Sequence, residues 1–170
     1  MARPAPMSVS ASQLEGHRTP QLAVARWALE VDDDFELWRP VDPWVALVKD
    51  CLTDYRLGRA DRASRAWAED IVWRVIGGGP WPGELRGAQS IFDYHRDLER
   101  RTAGAFRQHV VALQSSGGPV VEAHLRTTAA RSGRRIEIPT LVVFEIADGQ
   151  ITQVTEIPGD QASWDTFWSD

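Results

Sequence analysis

Three ionisable residues in the second half of the chain have types and spacing suited to acid/base chemistry: Glu156, His124 and Arg126. A carboxylate that loses its hydration in an apolar pocket has a raised pKa and can exchange protons near neutral pH. On a strand, His124 and Arg126 share one face, where the histidine could pass protons and the arginine could stabilise an oxyanion. The pattern predicts a catalytic group in which Glu156 is the base or the acid.

The same residues also allow a structural interpretation. The polar positions are Glu122, His124, Arg126 and Thr128, and the positions between them are Val121, Ala123, Leu125 and Thr127. Simple alternation places such a polar stripe on the solvent-facing or dimer-facing side of a sheet. Glu156 could likewise be a solvated strand charge or part of a surface ion pair. The direction of these side chains relative to the core decides between the two interpretations.

Hydrophobic periodicity predicts the elements that position these residues. A helix begins at Asp42-Pro43, carries an apolar stripe from Trp44 to Tyr55, and stops at Gly58. The other predicted helices cover about 60–68, ending with Trp67, and Gly87–Arg101. The predicted strands are Ile71–Ile76, 106–114, 119–131, 134–146 and 150–157, and short turns make the last four antiparallel hairpins.

Helices followed by a run of strands predict an α+β fold, with a cone-like curved antiparallel sheet and three N-terminal helices packed in its concave face. In the strand 134–146 the even positions, among them Thr140 and Val142, form the core face. Such a concavity leaves a pocket with aromatic and aliphatic walls, which suits a small hydrophobic ligand. His95 and His109 are interpreted as structural histidines.

We divide the chain into an N-terminal arm over residues 1–41 and a domain over residues 42–170. The arm begins with residues 1–19, which read as disordered, and a short helix is allowed over residues 20–31. We expect the arm to pack Trp27 or Trp38 on the domain, and partner binding by the arm is the alternative.

Composition excludes several classes of protein. The 170 residues carry a net charge of −5, which argues against nucleic-acid binding, and the single Cys51 excludes a disulfide framework. No apolar run is long enough for a membrane span, so a cytoplasmic location is expected. No spacing suggests a metal site or a dinucleotide site, and the glycine run 77–79 lacks the residues of a phosphate-binding loop. We therefore expect no cofactor.

The order of elements resembles the nuclear-transport-factor-2-like fold, which ketosteroid isomerases, SnoaL-like polyketide cyclases and limonene-epoxide hydrolases share. The stretch Gly133–Ile151 is similar to the hairpin before the final strand in the last two groups. The resemblance covers about 43–168 as a fold and is close over 133–160. It implies a hydrophobic substrate, cofactor-independent isomerisation, cyclisation, dehydration or water addition, and a homodimer formed through the outer sheet faces.

The resemblance also implies roles for individual residues. Its register points Val154 and Glu156 into the cone, and it places His124-Leu125-Arg126 where limonene-epoxide hydrolases carry an Arg-x-Asp pair. The substrate-binding positions that we predict are Tyr55, Trp73, Val75, Trp81, Thr140, Val142 and Val154. Neither the isomerase set nor the hydrolase set of catalytic residues is complete. The prediction is a small-molecule enzyme, and the alternative is a non-catalytic ligand-binding or assembly module of the same fold.

Overall fold

In the part of the chain that the structure describes, seven strands form one curved sheet, and helices cover its concave side. The computed structural model describes residues 27–81 and 83–169. The strands are β1 (Leu29–Glu30), β2 (Trp67–Val75), β3 (Glu84–Arg86), β4 (Arg107–Ser115), β5 (Val120–Arg131), β6 (Arg134–Ala147) and β7 (Gln150–Pro158). The helices are α1 (Asp33–Leu37), α2 (Pro43–Arg56), α3 (Ala60–Ala63), α4 (Gly87–Arg101) and α5 (Gln161–Trp168), with a 3₁₀ turn over Ser64–Ala66.

The strand order is β1-β4-β5-β6-β7-β2-β3, and β4 to β7 form consecutive antiparallel hairpins. The sheet differs from the purely antiparallel expectation at two places, because β2 pairs in parallel with β7 and β1 pairs in parallel with β4. Two-residue turns at Ser132-Gly133 and Asp148-Gly149 have positive φ at both positions, which matches the twist of the flanking strands. Register irregularities in β2, in β4 and between β6 and β7 add bends to the sheet.

Alternation in burial defines the inner face of the cone. On β6 the buried residues are the predicted even set: Ile136, Ile138, Thr140, Val142, Phe144 and Ile146. On β5 the buried residues are at odd positions, among them Leu125 and Thr127. The predicted α+β cone is therefore confirmed, and the last four predicted strands match within one residue at each end.

The start of α2 is tied to the end of β4 through one carboxylate. Asp42 caps the helix by accepting hydrogen bonds from the backbone N–H groups of Trp44 and Val45 at 2.8 and 3.3 Å. Ser115 Oγ donates to the other oxygen of Asp42 at 2.6 Å and helps to lower its pKa. This contact ties the first turn of α2, the helix that carries Tyr55, to the sheet.

Several local features differ from the sequence-based expectations. The second predicted helix ends earlier, because Trp67 begins β2 and buries its ring, with its indole N–H donating to Cys51 Sγ at 3.1 Å. The segment 27–31 holds β1 in place of a helix, and the remaining positions of that predicted helix, like the predicted disorder of residues 1–19, lie outside the described residues. The helix α5 has no counterpart in the sequence-based assignment.

Candidate active site

Glu156 lies inside the cone, where β7 runs between β6 and β2. Its neighbours in register are Val142 on β6 and Val75 on β2, so the three side chains share the inner face. Only 1% of Glu156 is exposed. Tyr94 Oη donates to Glu156 Oε2 at 3.1 Å, and Gln108 Nε2 donates to Glu156 Oε1 at 2.8 Å. The carboxylate is thus buried with both oxygens accepting hydrogen bonds.

The surroundings of Glu156 favour proton exchange. Burial raises its pKa, while the hydrogen bonds from Gln108 and Tyr94 partly offset that rise. The indole of Trp73 acts in the same direction as these donors, although its Nε1 completes no hydrogen bond within 3.5 Å. Burial also raises the pKa of Tyr94 well above its usual value, so its hydroxyl stays protonated and remains a donor. A carboxyl with a raised pKa and fixed donors suits general acid/base catalysis.

Gln108 connects Glu156 to a second set of buried groups. Its side-chain amide also donates to Thr127 Oγ1 at 3.2 Å, and Thr127 shares a 2.7 Å hydrogen bond with Thr140 Oγ1. On its other side, Gln108 Oε1 accepts a hydrogen bond from the indole N–H of Trp27. The amide therefore has a fixed orientation, with its nitrogen toward Glu156.

Loss of this connection should be measurable as stability. Thr127→Val keeps the shape of the side chain but removes the hydroxyl, which leaves Thr140 without this partner in the core. We expect a loss of about 1–3 kcal/mol in the free energy of unfolding measured with urea. Thr128→Val is the matched control, because Thr128 is the next residue on the outer face; equal losses in both variants would contradict the buried network.

A second polar pair lies beside Glu156 and Tyr94. The Tyr55 hydroxyl and His95 Nδ1 are 2.8 Å apart, while His95 Nε2 is buried without a hydrogen-bond partner among the described residues. The imidazole stacks on Trp27, with ring centroids 4.9 Å apart, and meets Trp73 edge-on at 5.1 Å. Burial lowers the pKa of His95 to about 3, so the ring is neutral near pH 7.

The structure does not bring His124 and Arg126 together with Glu156. Both side chains are partly or largely exposed on the outer face of β5, because the buried positions of this strand are odd-numbered. His124 Nε2 lies 3.0 Å from Gln114 Nε2, and Arg126 Nη1 lies 3.8 Å from Glu137 Oε1. The expected group of Glu156, His124 and Arg126 is corrected: the polar stripe of β5 faces away from the cone.

The predicted lining residues lie in the core or at its edge. Six of them are buried: Tyr55, Trp73, Val75, Thr140, Val142 and Val154. Trp81 is half-buried on the loop before β3, donates its indole N–H to Asp97 Oδ2 at 2.9 Å, and packs its ring on Tyr94 and Trp168. Trp81 thus contacts the ring of Tyr94, whose hydroxyl donates to Glu156, but does not itself reach the carboxylate.

Sequence reasoning missed Tyr94, Gln108, Thr127 and Trp27 as members of the site. Helical spacing did contain a signal for Tyr94, which lies three residues after Ile91 and four before Leu98 on the apolar face of α4. The alternation along β4 contained a signal for Gln108, since Phe106 and Val110, two residues before and two residues after it, are buried. His95 was predicted to be buried, but its contacts with Tyr55 and Trp27 were not.

Comparison with known proteins assigns this cone to a family. The family of SnoaL-like domains matches residues 48–154, which is more than half of the chain. The chain therefore belongs to the SnoaL-like domain family.

Among the described residues, no helix has the length and apolar character needed to cross a bilayer, and no cluster of potential metal ligands is found.

Particular relatives agree with this assignment. An uncharacterized protein of Mycobacterium tuberculosis is 23% identical over 123 residues, which are 72% of this chain and 94% of the relative. The structure of a protein from a soil-derived mobile gene cassette aligns with a TM-score of 0.68 at 24% identity, covering 75% of this chain and 97% of the other. A nuclear-transport-factor-2-like protein of unknown function from Burkholderia pseudomallei aligns with a TM-score of 0.65 at 14% identity, covering 76% and 100%. At these identities the solved structures show the fold.

Proposed function

We propose that this SnoaL-like protein is a small-molecule enzyme that performs cofactor-independent acid/base chemistry on a hydrophobic substrate inside the cone. The observation that carries the proposal is the buried Glu156 carboxyl, oriented by Tyr94 and Gln108 among aromatic rings. The reaction belongs to the isomerase, cyclase, dehydratase or epoxide-hydrolase type. We propose a homodimer and a cytoplasmic location with it.

Glu156 is the proposed catalytic residue. As a carboxylate it takes a proton from the substrate, and as the resulting acid it returns a proton to another substrate atom, so the reaction consumes no cofactor. Tyr94 and Gln108 hold its two oxygens and thereby fix the direction of transfer. Their donated hydrogen bonds also stabilise the carboxylate form of Glu156, which is present before the first step and is restored by the second.

His95 and Trp73 are the proposed contacts for a polar atom of the substrate. Both carry a buried ring nitrogen without a partner among the described residues, and their rings lie 5.1 Å apart, edge to face. A ligand oxygen that reaches either nitrogen would accept its hydrogen bond, which relieves the cost of burying that nitrogen unpaired. Tyr55 is a positioning residue, because it holds the other nitrogen of His95.

A probe for a buried base tests the proposal. When a base removes the proton on C3 of 5-nitrobenzisoxazole, the N–O bond breaks and a nitrile and a coloured phenolate form. We expect the protein to open this ring at least ~100-fold faster than the same concentration of acetate. Because the reaction needs ionised Glu156, whose pKa burial raises, the rate should rise with pH around a midpoint above the usual 4.5 of a glutamate.

The controls follow from the corrected placement of the outer-face residues. The double variant His124→Gln, Arg126→Gln should retain the full rate and the same pH profile, because both side chains lie on the other side of the sheet. A rate no higher than that of acetate, or a midpoint at the ordinary glutamate value, would overturn the proposal.

The alternative function is a non-catalytic ligand-binding or assembly module. One observation favours it: both oxygens of Glu156 already accept hydrogen bonds within the chain, as in a purely structural core network. Such a module would bind the probe without opening its ring. Binding and ring opening measured on the same sample therefore distinguish the two functions.

A further inference from the structure

Trp27 enters the cone from outside the matched domain. It lies 21 residues before the segment 48–154 that matches the family, on the chain leading into β1. Only 2% of it is exposed. Its ring stacks on His95 at 4.9 Å with an interplanar angle of 27°, and meets the edges of Trp73 and Tyr55 at 5.1 and 6.0 Å. The indole thus contacts the rings that we assign to the substrate site.

Trp27 also makes a hydrogen bond of the kind that a bound ligand would make in this site. Its N–H donates to Gln108 Oε1, and the amide nitrogen of the same residue donates to Glu156. The ring is therefore one hydrogen-bonded side chain away from the proposed catalytic carboxyl. Its remaining contacts with described residues include the rings of Tyr55, Trp73 and His95.

The segment that carries Trp27 has few attachments to the sheet. The strand β1 has two residues, whereas β4 beside it has nine. Ala28 O accepts a hydrogen bond from Gln108 N at 2.9 Å. The Glu30–Arg107 ion pair spans 3.6 Å between partly exposed groups, and such pairs contribute little to stability. Asp32 Oδ1 also lies 3.5 Å from Nε2 of the mostly buried His109. The segment lies at the edge of the sheet, where Leu29 is buried with Trp27, and the pairings among β4 to β7 do not involve it.

We propose that Trp27 occupies the substrate site as an intramolecular stand-in, and that the ligand of this site is a planar, neutral aromatic molecule of about indole size with an N–H or O–H donor for Gln108. This inference rests on the proposed function for the identity of the site. The described groups that contact the indole are Tyr55, Trp73, His95 and Gln108, none of them a cation, and Glu156 lies behind Gln108, so the site favours a neutral ring over an anionic one. Ligand and Trp27 compete, which makes the segment 27–31 a gate.

A pair of small indoles tests the proposed ligand chemistry. 3-Methylindole reproduces the tryptophan side chain, whereas 1-methylindole has the same size but no N–H. We expect Trp27→Ala to bind 3-methylindole at least tenfold more tightly than the wild-type protein does, as measured by calorimetry. The same variant should prefer 3-methylindole to 1-methylindole by about fivefold or more, since one hydrogen bond to Gln108 is lost.

The matched control is Trp38→Ala, which changes a partly exposed tryptophan elsewhere in the N-terminal arm and should leave both affinities at the wild-type values. Equal binding of the two indoles to Trp27→Ala would reduce the effect to the filling of a cavity and would overturn the ligand assignment. Absence of binding to Trp27→Ala would also overturn it.

The gate is tested in the wild-type protein by labelling with 5-fluorotryptophan, and a variant is needed only to assign the resonance. The fluorine resonance of Trp27, assigned with Trp27→Phe, should move from a buried to a solvent-exposed position as 3-methylindole is added. A resonance that stays at the buried position while the ligand saturates the protein would overturn the competition.

Failure of this inference is distinguishable from failure of the proposed function. If the indoles fail to displace Trp27 but the protein opens the benzisoxazole ring with the raised pH midpoint, only the gate is wrong. If 3-methylindole displaces Trp27 but ring opening is no faster than with acetate, the site binds an aromatic ligand without acting on it.

Discussion

Glu156→Gln is expected to lower the rate of benzisoxazole ring opening at least ~100-fold, which corresponds to a loss of about 2.7 kcal/mol of transition-state stabilisation. The amide cannot accept the proton, so the loss follows from the chemistry and not from a change in shape. Its oxygen can still accept the hydrogen bond from Gln108, and its nitrogen can donate to Tyr94, because a phenol hydroxyl accepts as well as donates. The measurement is the initial rate at a pH above the midpoint of the wild-type profile.

Stability measurements separate this loss from unfolding. The pKa of Glu156 is raised in the folded protein, so its stability contribution is fully present below pH 4.5 and is lost as the pH rises through the folded-state value. Glu156→Gln removes that loss, and at neutral pH the variant should be at least as stable as the wild-type protein. Glu145→Gln, an exposed glutamate on β6, is the control and should keep the rate. An unchanged rate in folded Glu156→Gln would remove Glu156 from the mechanism.

The fold was predictable because its longest elements carry periodic signals. Alternation over 134–146 gave the inner face of β6, and short turns gave the hairpins. The start of β2 was not predictable in this way, because Glu69 and Asp70 are both exposed and a register irregularity between Trp67 and Val72 interrupts the alternation. The helix α5 did carry a signal: Asp160 caps it, and Trp164, Phe167 and Trp168 form its buried stripe.

A site residue could be predicted from the sequence only where the register of its own strand shows which face of the sheet it lies on. Glu156 lies in the cone as the register of the resemblance implied. His124 and Arg126 do not, because a shift of one residue along β5 moves every side chain to the other face, and the inward positions are those of Leu125 and Thr127. The alternation of polar and apolar residues had already indicated this outcome.

The remaining site contacts join distant parts of the chain. Trp27 and Gln108 are 81 residues apart, and Tyr94 and Glu156 are 62 apart. Local periodicity shows that such residues are buried, but not which buried residues meet. The pairing of β1 with β4 that brings Trp27 to Gln108 involves only two residues, too few to leave a recognisable pattern.

The largest expected effect on stability comes from His95 in acid. Burial holds its pKa at about 3 in the folded protein, against 6.5 for an unperturbed histidine, so the folded state resists protonation. A lowered histidine pKa means that the associated stability is fully present above pH 6.5 and is lost as the pH falls towards 3. Over that whole window the loss amounts to up to about 5 kcal/mol.

Replacing the imidazole by a ring that cannot titrate removes this acid sensitivity. In His95→Phe the Tyr55 hydroxyl loses its hydrogen-bond partner, which would add a second effect. We therefore compare the double variant His95→Phe, Tyr55→Phe with the single variant Tyr55→Phe. We expect the double variant to gain about 3 kcal/mol on Tyr55→Phe between pH 7 and pH 4, measured by urea unfolding. Glu156 titrates in both proteins of this pair and cancels from the difference. If the stability of both proteins changed equally with pH, His95 would already be accessible to protons in the folded state. Its free ring nitrogen would then be hydrogen-bonded to water, which would contradict its assignment as a substrate contact.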